Sequence, residues 1–443
     1  MIQNSPLTSV LYGQLLGDAE AERWLNDHAQ IQAMLTVEAE LALAQAEVGL
    51  IPEQAAEAIA QTARGMHPTP ETLAAGTLSA GVPVPALVQS LKQALAPEHA
   101  RWVHYGATSQ DIVDTALVLN VRSLLTLYEQ RLDAIVAALA ELAERHRHTL
   151  ISGRTRTQRA VPISLGLKMA RWLAPLVTQK NRLPALRHQV LKLQLGGAVG
   201  TLSVMGERAE AAQAALARRL DLTGGPSWHT QRDGLVELSH WLGLTTGSLG
   251  KMAQDWLWLS QSEVGEIRFS NGGGSSTMPQ KCNPVSAEVM VALARHGAGL
   301  VGQVHQSMLQ EHERGGSGWV QEWLALPQQL ETTAVALKHG QAALAHLEIQ
   351  PARIDANLEA DNGAIYAEAA TFELAATLPR DQATTLVKNA AKQARADNRH
   401  LLEVAQEISG VTLDLDSIRQ RLLGGGASQA WLDTLLADAR RRR

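Results

Sequence analysis

Apolar residues recur at helical spacing along most of the chain. Residues 30–49 and the alanine-rich stretch that follows Pro52 both have this pattern, so each predicts a helix. The span 111–152 contains neither Gly nor Pro, and as one helix it would be about 60 Å long. A helix of that length needs other helices to cover its apolar face, which favours a bundle of long helices shared between subunits.

The same pattern divides the chain into three predicted helical domains. Residues 1–110 would form a small first domain, in which the Pro- and Gly-rich stretch 66–85 is expected to be mostly loop. Residues 111–360 would form the central bundle of long helices, and residues 361–443 a small third domain. No stretch has the character of a strand, so the predicted fold class is all-α.

Composition and charge restrict the classes of function. Aromatic residues make up only 4% of the chain, which agrees with helices because strands favour aromatic and β-branched residues. The net charge is −5, which argues against nucleic-acid binding through bulk charge. The single cysteine, Cys282, excludes an internal disulfide and a cysteine-based metal site. We expect a cytoplasmic protein, because the N-terminus does not resemble a signal peptide and no run of about 18 apolar residues could span a membrane.

Neither a metal nor a cofactor is expected. The chain has 15 histidines, but none belongs to a His-Glu-x-x-His motif. His146 and His148 are two residues apart on a predicted helix, so their side chains do not face each other. The glycine-rich stretches match neither a phosphate-binding P-loop nor a dinucleotide-binding fingerprint.

The sequence GGGSSTMPQKCNP, residues 272–284, has the features of an anion-binding loop. Its three glycines can adopt backbone angles that other residues avoid, and we expect the loop to be mobile. Asn283 followed by Pro284 is typical of a helix start. The loop therefore places the Ser275 hydroxyl and the Lys281 ammonium group near the positive end of a helix. Taken alone, a glycine- and serine-rich turn is more often a plain surface loop.

The stretch HYGATSQDIVDTA, residues 104–116, contains candidate helix caps. Thr108 or Ser109 can cap a helix whose first turn holds Asp111. Taken alone, two such hydroxyls are more often helix caps than binding groups.

Two further stretches are rich in polar side chains. GRTRTQRAVP, residues 153–162, is dense in guanidinium groups, and by itself it predicts a solvated basic turn. WHTQRD, residues 228–233, precedes a helix that is expected to begin near Asp233. Its His229 and Gln231 stand where polar groups can extend into a site.

These stretches together resemble the signature motifs of the fumarase/aspartase superfamily. The loop GSSTMPQKCNP carries the most specific part of the resemblance, and HYGATSQD and GRTRTQRAVP match two further motifs. The resemblance covers about residues 30–400 and implies an all-α fold of three domains. It also implies a homotetramer in which three subunits build each active site. Members of the superfamily remove a proton next to a carboxylate and expel a group from the β-carbon, or run this reaction backwards.

The resemblance implies a role for each candidate residue. Ser275 corresponds to the family's base, while Lys281 and Asn283 would stabilise the dianion that forms when the proton leaves. The other candidates would bind the substrate: His104, Thr108, Ser109, Arg154, Arg156, Gln158, His229, Gln231 and Arg314. The segments 228–233 and 313–323 resemble a cycloisomerase branch of the superfamily.

Arg156 is where the sequence departs from the family's pattern, which has a histidine at this position. That histidine serves as a general acid for poor leaving groups. Arginine stays protonated and cannot cycle a proton, but its guanidinium group can bind a carboxylate. Opening a lactone expels a carboxylate, whose pKa of about 4 lets it leave without a proton. The resemblance therefore implies an intramolecular lyase that closes a tricarboxylate diene to a lactone in aromatic catabolism.

Two alternatives remain open. One is a β-elimination enzyme similar to adenylosuccinate lyase, which the Thr-Ser-x-Asp motif also fits, although Arg156 argues against it. The other is a helical bundle with a structural role. The presence of Ser275, Lys281 and Asn283 argues against a purely structural protein.

Overall fold

The fold is all-α, as predicted. The computed structural model describes residues 6–7, 9–274, 277–278 and 281–441. The helices before residue 101 are α1 (Gly13–Leu16), α2 (Glu22–Leu25), α3 (Asp27–Glu47), α4 (Glu53–Gly65), α5 (Pro70–Ala80), α6 (Val84–Gln93) and α7 (Pro97–Ala100).

The prediction that residues 66–85 are mostly loop was wrong. α5 begins at Pro70, and α6 begins at Val84 with Pro85 in its first turn. Proline is favoured in the first turn of a helix, where its missing N–H has no intrahelical partner to lose. Pro70 and Pro85 therefore begin helices instead of breaking them.

Long helices occupy the centre of the sequence, as expected. The central helices are α8 (Ser109–Arg145), α9 (Leu165–Val190), α10 (Ala209–Leu220), α11 (Asp233–Leu259), α12 (Val285–Gln306) and α13 (Ser317–Ala345). Helix α8 has 37 residues and α13 has 29. Pro175 and Pro184 both lie inside α9, which continues through them. A short 3-10 helix, Ser203–Arg208, precedes α10.

The chain leaves helix α8 seven residues earlier than the Gly- and Pro-free span suggested. Strands β1 (Leu150–Thr155) and β2 (Gln158–Ser164) form an antiparallel hairpin directly after it. The expectation of no strand was therefore wrong at this place. β1 begins with Leu150 and the β-branched Ile151, both buried, and such residues fit a pleated, half-buried surface.

The remaining strands are short. They are β3 (Ile267–Phe269), β4 (Gly273–Gly274), β5 (Cys282–Asn283) and β6 (Leu347–Ile349). β3 pairs with β6 and β4 pairs with β5, both antiparallel. The last helices are α14 (Pro351–Glu359), α15 (Ala367–Leu374), α16 (Arg380–Asp397), α17 (Leu401–Ser409), α18 (Leu415–Gly424) and α19 (Ser428–Arg440), with a 3-10 turn at Ala364–Tyr366.

The contacts group the chain into two compact units, each discontinuous in sequence. The first unit contains Met1–Arg131, Gln179–Gly247 and Leu293–Lys338, and the second contains Leu132–Thr178, Ser248–Ala292 and His339–Arg443. The predicted division into three domains at residues 110 and 360 is not tested by this grouping and stays a prediction.

The first unit has a continuous apolar core. Buried side chains of α3, α4, α6 and α10 meet the beginning of α8 there. In α3 the apolar residues recur at helical spacing, from Ile31 through Leu35 to Ala42. Burial of these side chains stabilises the helix, since most helical stability in proteins comes from tertiary packing.

The second unit is organised around a pair of tryptophans. Trp172 and Trp256 meet edge to face with their ring centres 6.3 Å apart, and Nε1 of Trp172 donates to Oδ2 of Asp255 at 2.7 Å. Trp256 is fully buried, whereas Trp258 is 48% exposed. The two residues are two positions apart on α11 and therefore face different directions.

Candidate active site

Asp111 organises the start of helix α8. Thr108 precedes the first helical residue, Ser109, and its backbone N–H donates to Oδ2 of Asp111 at 3.0 Å. This is one half of a capping box, in which a carboxylate in the first turn accepts from the residue that caps the helix. This contact places Thr108, one of the two candidate caps, at the cap position, with Asp111 in the first turn as expected.

The Asp111 carboxylate also holds a distant loop. The backbone N–H groups of Gly196 and Gly197 donate to its two oxygens at 2.8 and 2.9 Å, and Nε2 of Gln194 donates to Oδ1 at 3.1 Å. Asp111 is fully buried. Since a buried carboxylate is stable only when hydrogen bonds compensate it, this cluster of donors allows a charge to sit inside the unit.

His229 is bound to the same carboxylate. Its Nε2 lies 2.8 Å from Oδ1 of Asp111, and the side chain is 2% exposed. His229 and Thr230 line a cavity of about 420 Å³. Gln231 is exposed and lines a different cavity of about 310 Å³ together with Trp228. The two candidate residues of this stretch, His229 and Gln231, thus line different cavities of the first unit.

Arg232, between these residues and α11, is the centre of a buried ion cluster. It donates to both oxygens of Asp114, at 2.6 and 3.2 Å, and to both oxygens of Glu322, at 2.8 and 2.5 Å. Burial alone would lower the pKa of Arg232, but the two carboxylates outweigh burial and raise it. Burial also raises the pKa of Glu322 against the effect of Arg232. The cluster fixes the chain directly before α11, three residues after His229.

His104 lies at the same end of α8 and has a strained backbone. Its φ is +62°, a left-handed conformation that is uncommon for residues other than glycine, although histidine adopts it more often than most. Its Nδ1 lies 2.5 Å from Oε1 of Glu38 on α3. The strain and the contact with Glu38 together hold the ring in one place.

Arg314 approaches the start of α8 from the loop before α13. Its Nη1 donates to the hydroxyl of Thr108. Arg314 is exposed, and the side chains of Thr108 and Ser109 are half-buried. The first unit therefore brings Thr108 and Arg314 into direct contact, although they are 206 residues apart in sequence.

The β1–β2 hairpin of the second unit carries three candidate residues. Arg154 donates to both oxygens of the buried Glu266 at 2.8 Å. Arg156 and Thr157 are the two turn residues, with φ of +49° and +66°, and Gln158 follows at the start of β2. Arg156, Thr157 and Gln158 are exposed. Arg154 is thus tied to the body of the unit, while Arg156 stands at the tip.

The turn between β1 and β2 is a two-residue turn of the I′ kind. This turn needs φ above zero at both central residues, for which Asn-Gly is the preferred sequence. Here the residues are Arg156 and Thr157, and a β-branched residue is a poor fit for such a backbone. Strain of this kind persists where the surrounding structure determines it, often at functional sites.

The glycine-rich loop is described only in part. Gly273 and Gly274 pair with Asn283 and Cys282, and a Cβ at Gly272 would lie 2.9 Å from the carbonyl oxygen of Asn283. Glycine is therefore needed here because the two backbone segments approach closely. This reason for the glycine is separate from the mobility that the sequence analysis predicted. Ser275 lies outside the described residues, so its predicted role as base and the predicted mobility of the loop stay predictions.

Two details of the loop correct the sequence analysis. Asn283 belongs to β5, so it is not the residue that caps α12. The backbone carbonyl of Pro284 instead accepts the first bond of the helix, from Glu288 at 3.1 Å. Lys281 is exposed, and the structure gives no ion pair to its ammonium group among the described residues.

The candidate residues divide between the two units. The first unit contains His104, Thr108, Ser109, His229, Gln231 and Arg314, whereas the second contains Arg154, Arg156, Gln158, Lys281 and Asn283. Sequence reasoning missed Glu38, Gln194 and Glu322. Little in the sequence indicated Glu38, which stands between the buried Val37 and Ala39 but is followed two positions later by another acidic residue, Glu40.

Comparison with known proteins agrees with the motifs. The family described as lyase matches residues 16–299, which is more than half of the 443 residues. The chain belongs to this lyase family. The predicted membership of the fumarase/aspartase type of enzyme is confirmed. Within the described part of the chain, no helix has the length and hydropathy needed to cross a membrane.

Individual relatives match over nearly the whole chain. The chain is 40% identical to 3-carboxy-cis,cis-muconate cycloisomerase of Pseudomonas aeruginosa, with 93% of each chain covered. It is 37% identical to trans-aconitate decarboxylase 1 of Mycosarcoma maydis, covering 96% of this chain and 88% of the relative. The crystal structure of 3-carboxy-cis,cis-muconate lactonizing enzyme from Pseudomonas putida matches with a TM-score of 0.92 at 36% identity, covering 98% of this chain and 99% of the other. These names include more than one reaction, so identity by itself does not select the substrate.

Proposed function

We propose that the protein is an intramolecular lyase that converts 3-carboxy-cis,cis-muconate to 4-carboxymuconolactone. The reaction belongs to the breakdown of protocatechuate in aromatic catabolism, and we place the enzyme in the cytoplasm. The observation that carries the choice is Arg156, an exposed guanidinium group at the tip of a strained hairpin turn. The family's motif has a proton-donating histidine at this position.

The chemistry of the leaving group explains why an arginine suits this reaction. In the direction of lactone opening, the bond that breaks releases a carboxylate, which leaves without a proton because its pKa is about 4. In the direction of ring closure, the same carboxylate attacks the diene already ionised. Neither direction needs a general acid on this oxygen. A guanidinium group can instead hold a carboxylate through two parallel hydrogen bonds.

The remaining proton belongs to the neighbouring carbon. As the ring closes, the electrons of the double bond move toward a substrate carboxylate and form a dianion, which we expect Lys281 and Asn283 to stabilise. Ser275 then supplies the proton to carbon, and removes it in the reverse direction. Serine can serve in both directions because a hydroxyl donates and accepts.

The substrate has three carboxylates, and the remaining candidates would bind them. Donors at the start of α8 come from Thr108, Ser109 and Arg314. His104 offers an imidazole there. His229 and Gln231 are further candidates for binding a substrate carboxylate. Arg154 has a different role in this proposal, because both of its terminal nitrogens already bind Glu266. We assign it to holding the hairpin that presents Arg156 and Gln158.

We further propose a homotetramer in which each active site uses residues of three subunits. The support is the length of α8 and α13, with apolar residues such as Val320 and Leu324 exposed on α13. Light scattering at micromolar concentration should give the mass of four chains. A stable monomer with full activity would contradict shared sites.

A direct assay separates the candidate functions. Ring closure shortens the conjugated system of the diene, so the ultraviolet absorbance of 3-carboxy-cis,cis-muconate should fall, and proton NMR should show the lactone. Adenylosuccinate should be left unchanged. Lys281→Ala serves as the impaired variant with the same fold. If the wild-type protein cleaves adenylosuccinate and leaves the diene unchanged, the assignment is wrong, and if it acts on neither, the structural alternative gains support.

A further inference from the structure

Glu38 is a buried carboxylate that has a single polar side-chain partner in the part of the chain that the structure describes. It lies on α3 with 1% of its side chain exposed. Its Oε1 lies 2.5 Å from Nδ1 of His104, and its Oε2 has no hydrogen-bond partner among the described residues. A buried charge is costly unless an opposite charge and hydrogen bonds compensate it. His104 is therefore the group that compensates the buried carboxylate of Glu38.

The contact determines where His104 carries its hydrogens. An ionised carboxylate only accepts, so Nδ1 of the ring must donate. Nε2 is then the ring nitrogen left to meet a ligand. The His104 side chain keeps 18% of its surface exposed while Glu38 keeps 1%, so the histidine, and not the glutamate, is the member of the pair that solvent or a substrate can reach.

Charged groups on three helices act on the ring. Burial alone lowers the pKa of His104, but Glu38 on α3 and Asp111 on α8 raise it by more than burial and Lys92 on α6 lower it. The pKa of His104 therefore lies above its ordinary value. The contact with Glu38 therefore favours the protonated form of the ring.

The backbone conformation of His104 is a second observation, independent of its contact with Glu38. Its φ of +62° is unfavourable for a residue with a Cβ, and such strain needs the surrounding structure to maintain it. Glycine would relieve this strain, but it would have no ring to bind Glu38. The backbone conformation places the residue at the start of α8, and the contact with Glu38 keeps its ring in one orientation.

We propose that Glu38 is a positioning residue that binds Nδ1 of His104 and so directs Nε2–H toward a carboxylate of the substrate. Glu38 acts only through His104 and does not itself touch the substrate. The identity of the substrate carboxylate rests on the proposed function above, whereas the pair itself does not.

The first test measures the charge of His104 without using activity. Exchange of the histidine C2 hydrogen for deuterium, followed by mass spectrometry as a function of pH, reports the pKa of individual histidines. The tryptic peptide 102–122 contains His104 as its sole histidine, so its exchange curve belongs to this residue. We expect the midpoint to fall in Glu38→Gln, which keeps the size of the side chain and removes its charge. Glu47→Gln, an exposed change on the same helix, should leave the midpoint unchanged.

The second test measures binding of the substrate. Glu38→Gln should raise KM for 3-carboxy-cis,cis-muconate about tenfold, which is the size expected for weakening one charge-assisted hydrogen bond, while kcat stays within about twofold. The basic limb of the kcat/KM profile should move to lower pH in the same variant. Glu38→Asp, which retains the charge on a shorter side chain, should restore part of the affinity.

The outcomes separate this proposal from the proposed function. If wild-type protein does not consume the diene, the proposed function fails, but the exchange experiment still tests the pair. If Glu38→Gln only lowers the melting temperature, with the His104 midpoint and KM unchanged, Glu38 has a purely structural role and the proposal is wrong. A wild-type midpoint at or below that of an ordinary histidine would overturn it without any variant.

Discussion

His229 donates through Nε2 to Oδ1 of Asp111 at 2.8 Å. The carboxylate also accepts hydrogen bonds from the loop at Gly196 and Gly197 and from the side chain of Gln194, so it is saturated with donors. Nε2 of His229 therefore carries a hydrogen. The other nitrogen, Nδ1, is buried and has no partner among the described residues. Asp111 thus connects the start of α8, the loop at Gly196 and Gly197, and His229 of the WHTQRD stretch.

Replacing Asp111 with asparagine should destabilise the protein. An amide in this position keeps one accepting oxygen and places an NH₂ group against donors such as the Gly197 N–H or His229 Nε2. Each buried donor left without an acceptor costs about 1–3 kcal/mol. Urea unfolding should show a clearly lower midpoint for Asp111→Asn. Asp27→Asn, an exposed residue in the first turn of α3, is the matched control, and equal midpoints for the two variants would contradict this account.

The sequence predicted the positions of the helices better than the contacts between distant side chains. Helical periodicity located α3, and Asp233 correctly marked the start of α11, because these depend on local spacing and capping. It could not place Glu38 beside His104 or Thr108 beside Arg314, because these pairs are 66 and 206 residues apart. Such contacts are determined by tertiary packing, which a motif does not encode.

The hairpin was misread for a different reason. The stretch GRTRTQRAVP is polar and lacks the alternation of a half-buried strand, so it predicted a turn. In the structure its backbone pairs from Thr155–Gln158 back to Leu150–Ser164. The strand at Leu150 was hidden because the Gly- and Pro-free stretch before it continues the helical pattern. Only the pairing of two segments distinguishes a hairpin from a helix end followed by a loop.

The turn residue Thr157 should be replaceable by glycine with a gain in stability. Its φ of +66° costs a β-branched residue about 1–2 kcal/mol, a cost that glycine avoids, although the greater flexibility of unfolded glycine offsets part of the gain. We expect Thr157→Gly to raise the free energy of unfolding by about 1 kcal/mol. Thr155→Gly, a change in the adjacent strand residue, should lower it instead. A destabilised Thr157→Gly would show that the turn is not strained.

Arg156 should contribute to substrate binding and not to proton transfer. Arginine stays protonated at working pH, so Arg156→Gln should act mainly by raising KM. By contrast, Ser275→Ala should lower kcat about 10²–10⁴-fold, the usual size for the loss of general acid–base catalysis. Arg156→His should restore no proton-donor function toward the native substrate. The measurement is kcat and KM against pH for the three variants, and a kcat loss in Arg156→Gln as deep as that in Ser275→Ala, with KM unchanged, would refute the binding role.

Glu331 of α13 should make stability depend on pH near neutrality. Burial, followed by the nearby carboxylates of Glu22 and Asp18, raises the pKa of Glu331 from 4.5 to about 7. Asp18 itself is paired with Arg131 at 2.6 Å, so that arginine is already engaged. A carboxyl group whose folded pKa is raised binds its proton more tightly in the folded protein than in the unfolded chain. Stability is therefore fully retained below pH 4.5 and is lost progressively as the pH rises through 7.

This sign leads to a specific expectation for Glu331→Gln. The amide cannot ionise, so the variant should lose the pH-dependent penalty and gain stability relative to wild type at pH 8, with little difference at pH 5. Glu331 keeps contact with water, which screens its repulsion from Glu22 and Asp18, so we expect a Tm gain of only about 1–3 °C at pH 8. Glu98→Gln, an exposed change on α7, should show no such dependence. Calorimetric scans of both variants and the wild type at the two pH values decide the question, because a Tm difference for Glu331→Gln that is the same at pH 5 and pH 8 would mean that the residue does not titrate between them.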